Sequence, residues 1–362
     1  MKNKWRYILL LPLSVLYGII ISIRNWLFDI EVFKSEKTNV PTIRIGNLRV
    51  GGTGKTPHAE FILSKLQDHF QVALLSRGYK RLTKGFVLAD ENTAAWQIGD
   101  EPYQVYLKYK PVPVASCEDR VEGVKKLLKA HPDLDLIVLD DAFQHRSIHS
   151  GLSILLTEYG HLYTRDSMLP GGDLREPKRG SKRADIIIVT KCPEDIRPID
   201  LRLIEHEINP AVYQSLYFSS YTYQNPKALF EMEVERNWTF DEIRTQKATI
   251  LLVTGIANPT LINNFLGHYS GDILTMKFDD HHDFGKRDIN RIEQKFNSIE
   301  HPQKLIIITE KDAARMIHNK YVSDILKKHI FVLPIKVQIL NNEENTLIKK
   351  ITDYVAENSG NS

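Results

Sequence analysis

Residues 51 to 57 read Gly-Gly-Thr-Gly-Lys-Thr-Pro, a glycine-rich turn closed by a lysine and a hydroxyl residue. Residues without side chains let several backbone N–H groups converge on phosphate oxygens at a helix N-terminus. Lys55 is then placed to neutralise the outer phosphates of ATP, and Thr56 to reach a bound Mg²⁺. Gly51, Gly52, Thr53, Gly54, Lys55, Thr56 and Pro57 are the candidate ATP-binding residues. The first glycine of the G-x-x-x-x-G-K-[ST] pattern would fall at Arg49, so the match rests on Gly51, Gly52, Gly54, Lys55 and Thr56. Magnesium also requires hard oxygen ligands. The run LDLIVLDD supplies them, because Asp140 and Asp141 stand where an apolar strand stops. Adjacent carboxylates repel unless a cation or hydrogen bonds compensate, so Thr56, Asp140 and Asp141 form the candidate metal set.

These residues need a strand to feed the loop and a helix to follow it. PTIRIGNLRV reads as that strand, and His58 to Phe70 has the apolar spacing of an amphipathic helix. Short apolar runs follow at 72 to 76, 134 to 140, 152 to 156 and 184 to 190, separated by helical or loop segments. Such alternation predicts a parallel sheet covered on both faces. A second set, ATILLVTG from 248, an Asn-Pro helix start and KLIIITE at 304 to 310, predicts a smaller α/β unit. The expected organisation is an N-terminal helix over 1 to 30, a P-loop core over 31 to 210, an extended linker over 211 to 240 and a smaller C-terminal α/β domain over 241 to 362. The aromatic and serine-rich alternation of 211 to 240 is what suggests the linker, and the tail NSGNS reads as disordered.

The length of 362 residues suits two domains around a cleft. A net charge of +3 gives no reason to expect a nucleic-acid partner, and no protein partner is inferred. Cys117 and Cys192 show no metal-ligand or disulfide spacing. Tyr7 to Ile23 contains no charge and is flanked by Lys2, Lys4 and Arg6 on one side and by Arg24 and Trp26 on the other. About 17 residues give roughly 25 Å of helix, at the short limit for spanning a hydrocarbon core, so crossing and partial insertion both remain open. No small-x-small cleavage site follows, which favours a retained membrane anchor over a signal peptide.

The motifs VGGTGKTP, SRGYKR (76 to 81), GDEP (99 to 102), DDAFQHR (140 to 146), LPGGDLREP (169 to 177), DHH (280 to 282) and TEKDAAR (309 to 315), with the hydrophobic N-terminus, resemble the tetraacyldisaccharide 4'-kinase family. The resemblance implies a P-loop kinase at the inner membrane, its active site facing the cytoplasm. Such an enzyme transfers the ATP γ-phosphate to the 4'-hydroxyl of the disaccharide 1-phosphate precursor of lipid A. By position it implies Asp100 as the general base and His281 as the histidine that orients it, with His282 an ambiguous neighbour. Because Asp100 and His281 come from different lobes, the pair is expected to form when the cleft closes. Arg77, Tyr79, Arg120, Gln144, His145 and Arg175 match positions implied to line the phosphate or lipid-headgroup side. The basic run Arg175, Lys178, Arg179, Lys182 and Arg183 reads equally as headgroup contact or as a solvated face. Ala142 replaces a usual glycine, and Gly172-Asp173 the more frequent Gly-Pro. The competing reading is a membrane-associated P-loop ATPase switch of the partitioning or cell-division type. That class carries an extra lysine where this chain has Val50. A GTPase is disfavoured because neither Thr190-Lys191-Cys192-Pro193 nor Thr309-Glu310-Lys311-Asp312 spells Asn-Lys-x-Asp.

Overall fold

The computed structural model describes residues 4–149, 151–256 and 259–359. Lys2, the side chains of Lys4 and Arg6, Asn258 of the expected helix start and the tail from Gly360 lie outside the described residues.

Eight strands open the fold: β1 Thr42–Asn47, β2 Val72–Ser76, β3 Val87–Leu88, β4 Val114–Ser116, β5 Leu136–Leu139, β6 Leu152–Glu158, β7 Ile186–Thr190 and β8 Ser215–Tyr223. Five more follow, β9 Lys227–Ala228, β10 Thr249–Thr254, β11 Ile273–Lys277, β12 Lys304–Thr309 and β13 Ile330–Leu333, before β14 Ile335–Ile339. The large sheet has the order β14-β8-β7-β6-β1-β5-β2-β4-β3 and the small one β11-β10-β12-β13-β9. Both are parallel except for antiparallel pairing at β3 and β14 in the first and β9 in the second. Apolar runs such as Ile43, Ile45, Val138 and Ile154 are fully buried because helices cover both faces. The expected α/β architecture, with a P-loop core and a second, smaller α/β unit, is the one observed.

β1 sits between β5 and β6, and β2 follows beyond β5. The glycine loop leaves the end of β1 while Asp140 leaves the end of the adjacent β5, so two motifs far apart in sequence meet at one edge. Ligands bind at such strand ends where the chain order reverses.

The stretch 211 to 240 is not an extended linker. It contains β8, which pairs with β7 on one side and β14 on the other, and β9, which edges the small sheet. Its serines imitate solvent-facing positions, yet Ser219 and Ser220 are buried beside Tyr217 and Phe218. The segment expected as the tail of the small unit also returns to the large one. β14 pairs with β8, and the helix Glu344–Ser359 buries Leu347, Ile351 and Val355 in the core that holds Ile43 and Ile45.

Candidate active site

The glycine loop runs from β1 into the helix Lys55–Leu66. Gly51 and Gly54 have φ of 117° and 90°, a region that favours glycine. At Gly54 a side chain is also excluded by the Tyr221 hydroxyl, which occupies the space a Cβ would need. Asn47, the fully buried last residue of β1, donates to Thr53 Oγ1 at 2.8 Å, and Thr190 Oγ1 donates to the Thr53 carbonyl at 2.8 Å. His58 braces the loop from behind, with Nδ1 2.7 Å from the Gly54 carbonyl and Nε2 2.9 Å from Ser219 Oγ. A carbonyl can only accept, so Nδ1 carries the proton. Burial pushes the imidazole down to about 4.

Thr56 Oγ1 lies 3.3 Å from Asp140 Oδ2, and Lys55 Nζ lies 3.7 Å from Asp141 Oδ1. Burial, then Glu101 and Asp141, push the Asp140 carboxyl up to about 7. Loss of water works to raise Asp141 as well, but Lys55 and Arg175 outweigh it and hold that carboxyl well below the usual range. Asp141 also takes a left-handed φ of 46°, a strained conformation of the kind that clusters at functional sites. The Asp140 and Asp141 carboxyls and the Thr56 hydroxyl, 3.3 Å from Asp140, are hard oxygen donors that fit Mg²⁺, which binds through one or two carboxylates together with substrate phosphates. Among the described residues no cluster of three His, Cys, Asp or Glu competes as a metal site.

Beside the loop lies a cavity of about 240 Å³ lined by Tyr17, Ile21 and Arg24 of the N-terminal helix and by Arg77, Asp141, Gln144, His145, Arg175 and Glu176. Arg175 Nη2 reaches Asp141 Oδ1 at 3.0 Å and also bonds Asn47. Gln144 donates to the Asn47 carbonyl and to Glu176, each at 2.8 Å. Burial, then Arg120 and Arg77, hold His145 down at about 4, so it meets a ligand as a neutral imidazole.

Across the cleft, Asp100 opens the helix Asp100–Lys108 and His281 follows β11. His281 Nδ1 stands 3.0 Å from Asp100 Oδ2, so the pair is already made in this structure rather than awaiting closure. Burial would raise the Asp100 carboxyl, yet hydrogen bonds from His281 and Arg315 hold it below the usual range.

The family model described as Tetraacyldisaccharide-1-P 4'-kinase matches residues 6–355. The chain belongs to the tetraacyldisaccharide 4'-kinase family. It is 46% identical to the tetraacyldisaccharide 4'-kinase of Bacteroides thetaiotaomicron over 99% of this chain and 95% of that protein. Identity to the Porphyromonas gingivalis W83 enzyme of the same name is 37% over 98% and 97% of the two chains. The crystal structure of LpxK from Aquifex aeolicus in complex with ATP superposes with a TM-score of 0.75 at 27% identity, covering 96% of this chain and 99% of that one. As a tetraacyldisaccharide 4'-kinase, the chain uses ATP to phosphorylate the 4'-hydroxyl of the lipid A disaccharide precursor. None of these relatives is a partitioning or cell-division switch.

Within this kinase, Arg77, Gln144, His145 and Arg175 gather around the cavity, while Tyr79 is exposed, its ring centre 5.4 Å from that of His281 in an edge-to-face arrangement. Arg120 is placed apart. It is fully buried beneath the end of β5, with its guanidinium 2.5 Å from the Cys117 carbonyl and 3.4 Å from the Asp140 carbonyl. Of the basic run, Arg175 lines the cavity, whereas Arg183 is spent on Glu176 at 2.7 Å and Lys178 on the Thr164 carbonyl. His282 bonds Asp288 at 3.0 Å, its ring against those of Phe278 and Phe284. Sequence reasoning gave no role to Asn47, Glu176, Lys311 or Arg315. A polar residue ending an apolar strand just before the glycine loop was the signal for Asn47.

Proposed function

We propose that the 4'-kinase reaction takes place where the glycine loop faces Asp100, with the lipid headgroup held in the cavity beneath the N-terminal helix. The 4'-hydroxyl oxygen bonds to the γ-phosphorus as its proton passes to Asp100. The bond from the γ-phosphorus to the bridging oxygen breaks, and its electron pair leaves with ADP. Lys55 neutralises phosphate charge, Gly51 to Pro57 bind the nucleotide, and Thr56, Asp140 and Asp141 would hold Mg²⁺. When bound, Mg²⁺ would supply countercharge to the β- and γ-phosphate oxygens. Arg77 and Arg175 grip phosphate oxygens of the substrate, while Gln144, His145 and Tyr79 contact the headgroup. The single observation that carries this reading is the Asp100–His281 pair, a carboxylate oriented by an imidazole at the junction of the two lobes.

The same cavity supports a membrane placement. The helix Lys4–Asp29 is apolar and long enough to cross a bilayer, with Leu9, Leu16, Ile20, Ile23 and Trp26 exposed. Its other face is tied to the core. Gly171 N–H donates to Ser14 Oγ at 2.9 Å, Tyr17 donates to the Arg175 carbonyl at 2.9 Å and Arg24 to the Gln144 carbonyl at 3.0 Å. A helix bound to polar protein along one side cannot be encircled by lipid. It therefore lies in the interface with its apolar stripe against the acyl chains and the cavity at headgroup level. Because ATP is cytoplasmic, that interface is the cytoplasmic face of the inner membrane.

The test is incubation of the purified protein with γ-labelled ATP and tetraacyldisaccharide 1-phosphate in detergent micelles, with and without Mg²⁺. The expected result is Mg²⁺-dependent labelling of the lipid; lipid-independent hydrolysis without labelled lipid contradicts the reading.

A further inference from the structure

Asp100 accepts three hydrogen bonds, all on one oxygen. His281 Nδ1 lies 3.0 Å from Oδ2, and Arg315 approaches the same atom with Nε at 2.9 Å and Nη2 at 2.7 Å. Among the described residues no hydrogen bond reaches Oδ1. Arg315 is itself fixed, with Nη1 3.3 Å from the His282 carbonyl and 3.4 Å from Asp312 Oδ1. Asp312 is fully buried and takes the Thr309 hydroxyl at 2.6 Å and the Gly255 N–H at 3.2 Å. One turn earlier on the same helix, Glu310–Met316, Lys311 Nζ stands 2.9 Å from His281 Nε2 and 3.0 Å from Asp280 Oδ1. Residues four apart project from one helix face, so this short helix aims both cations at the dyad.

We propose that Lys311 and Arg315 are positioning residues for phosphoryl transfer, fixing Asp100 so that Oδ1 alone is presented to the acceptor hydroxyl. The proposal deepens, and rests on, the assignment of Asp100 as the base. An ammonium has three protons and no lone pair, so His281 Nε2 is the acceptor and the ring proton sits on Nδ1, facing Asp100. Lys311 thus sets the tautomer that makes the dyad bond, while Arg315 fills the remaining capacity of Oδ2. Charged donors on the carboxylate cost it basicity, and the arrangement exchanges that basicity for aim. Phosphoryl transfer tolerates the exchange because its transition state is loose and depends mainly on positioning. The helix follows β12 of the small sheet, whereas Asp100 belongs to the large unit. The small unit therefore carries the aiming apparatus for a base in the other.

The test compares full-length wild type with Lys311→Met, Arg315→Met, Arg315→Lys and Asp100→Ala, using ATP, Mg²⁺ and tetraacyldisaccharide 1-phosphate in micelles across pH. The charged groups around the base are His281 and Arg315 on Asp100, Asp312 on Arg315 at 3.4 Å, Asp280 and Lys311 on His281, and Glu101 3.7 Å from Lys311. Both Met variants should lose at least roughly tenfold in kcat, with KM for ATP altered by less than about twofold. Arg315→Met should also move the acid limb of the kcat/KM profile to higher pH, and Arg315→Lys should recover part of the rate. Unchanged kcat with an unmoved profile, or a rise in KM for ATP alone, would overturn the proposal. Should a Met variant fail to fold, Lys311→Gln and Arg315→Gln make the same comparison in soluble protein. Full activity in Asp100→Ala sinks the base assignment and this proposal with it. An inactive Asp100→Ala beside fully active Lys311 and Arg315 variants sinks this proposal alone.

Discussion

Arg49 and Asp173, two positions at which the chain departs from the usual motifs, are ion-paired to each other at 3.1 Å. Arg49 also reaches Asp166 at 2.5 Å and the His161 carbonyl at 2.9 Å, and the Val50 N–H donates to the Asp173 carbonyl at 2.8 Å. The leading end of the phosphate loop is thus pinned by side chains where the plain motif has a glycine. Because the pair is partly exposed, its coupling in a double-mutant cycle of Arg49→Ala and Asp173→Ala should be about 1 kcal/mol. The cycle is read in KM for ATP, where each single variant should show an increase of several fold. Strict additivity of the two changes would show that the pairing has no role in loop position.

His58 gives the fold a defined acid sensitivity. Its folded value of about 4 lies below the ordinary 6.5, so its contribution is complete above pH 6.5 and is lost as pH falls toward 4. Over that window the slope is about 1.4 kcal/mol per pH unit. Asp140, raised by burial, acts in the opposite sense, and His145 in the same one. The informative quantity is therefore the difference between wild type and His58→Asn, which keeps a donor for the Gly54 carbonyl. Denaturant melts from pH 4 to 7 should show a shallower acid decline in the variant; identical slopes would contradict the buried neutral imidazole.

Gly54 and Tyr221 make a paired prediction. A Cβ at Gly54 would collide with the Tyr221 hydroxyl and would also have to adopt a φ of 90°. Gly54→Ala should weaken ATP binding by roughly a hundredfold, or about 2.7 kcal/mol. The Tyr221 hydroxyl is buried and has no hydrogen-bond partner among the described residues. An unsatisfied buried hydroxyl costs about 1–3 kcal/mol, so Tyr221→Phe should melt no lower than wild type. A clear fall in Tm would show that the hydroxyl has a stabilising role.

Much of this site was legible because its first half is local. A strand, a glycine loop and a helix in succession imply phosphate binding, and an aspartate pair after an apolar strand implies a metal. What the sequence hid depends on segments that meet only in space. Lys311 and Arg315 reach a dyad whose members lie 181 residues apart in the chain. Arg120 carried a motif position but no sign that its guanidinium would be buried under Asp140. β8 was misread because Ser219 and Ser220 imitate solvent-facing positions, although Ser219 is committed to His58. The last helix was assigned to the wrong unit because its apolar stripe says only that it packs, and not against which sheet.

The interfacial placement of the N-terminal helix has its own test. Leu16 and Ile20 are exposed on this helix and are not among the residues that line the cavity. The double substitution Leu16→Glu, Ile20→Glu should weaken binding to anionic vesicles by roughly tenfold while leaving Tm unchanged. Full co-sedimentation of that variant would show that another surface holds the protein to lipid.

The most direct measurement is transfer of labelled γ-phosphate to tetraacyldisaccharide 1-phosphate by Asp100→Ala, alongside its affinity for ATP. Because Asp100 is bonded to His281 and Arg315 and, among the described residues, makes no side-chain hydrogen bond to the glycine loop, ATP affinity should stay near that of wild type while lipid phosphorylation falls by at least about a thousandfold. Turnover within a few fold of wild type would contradict the assignment of Asp100 as the base.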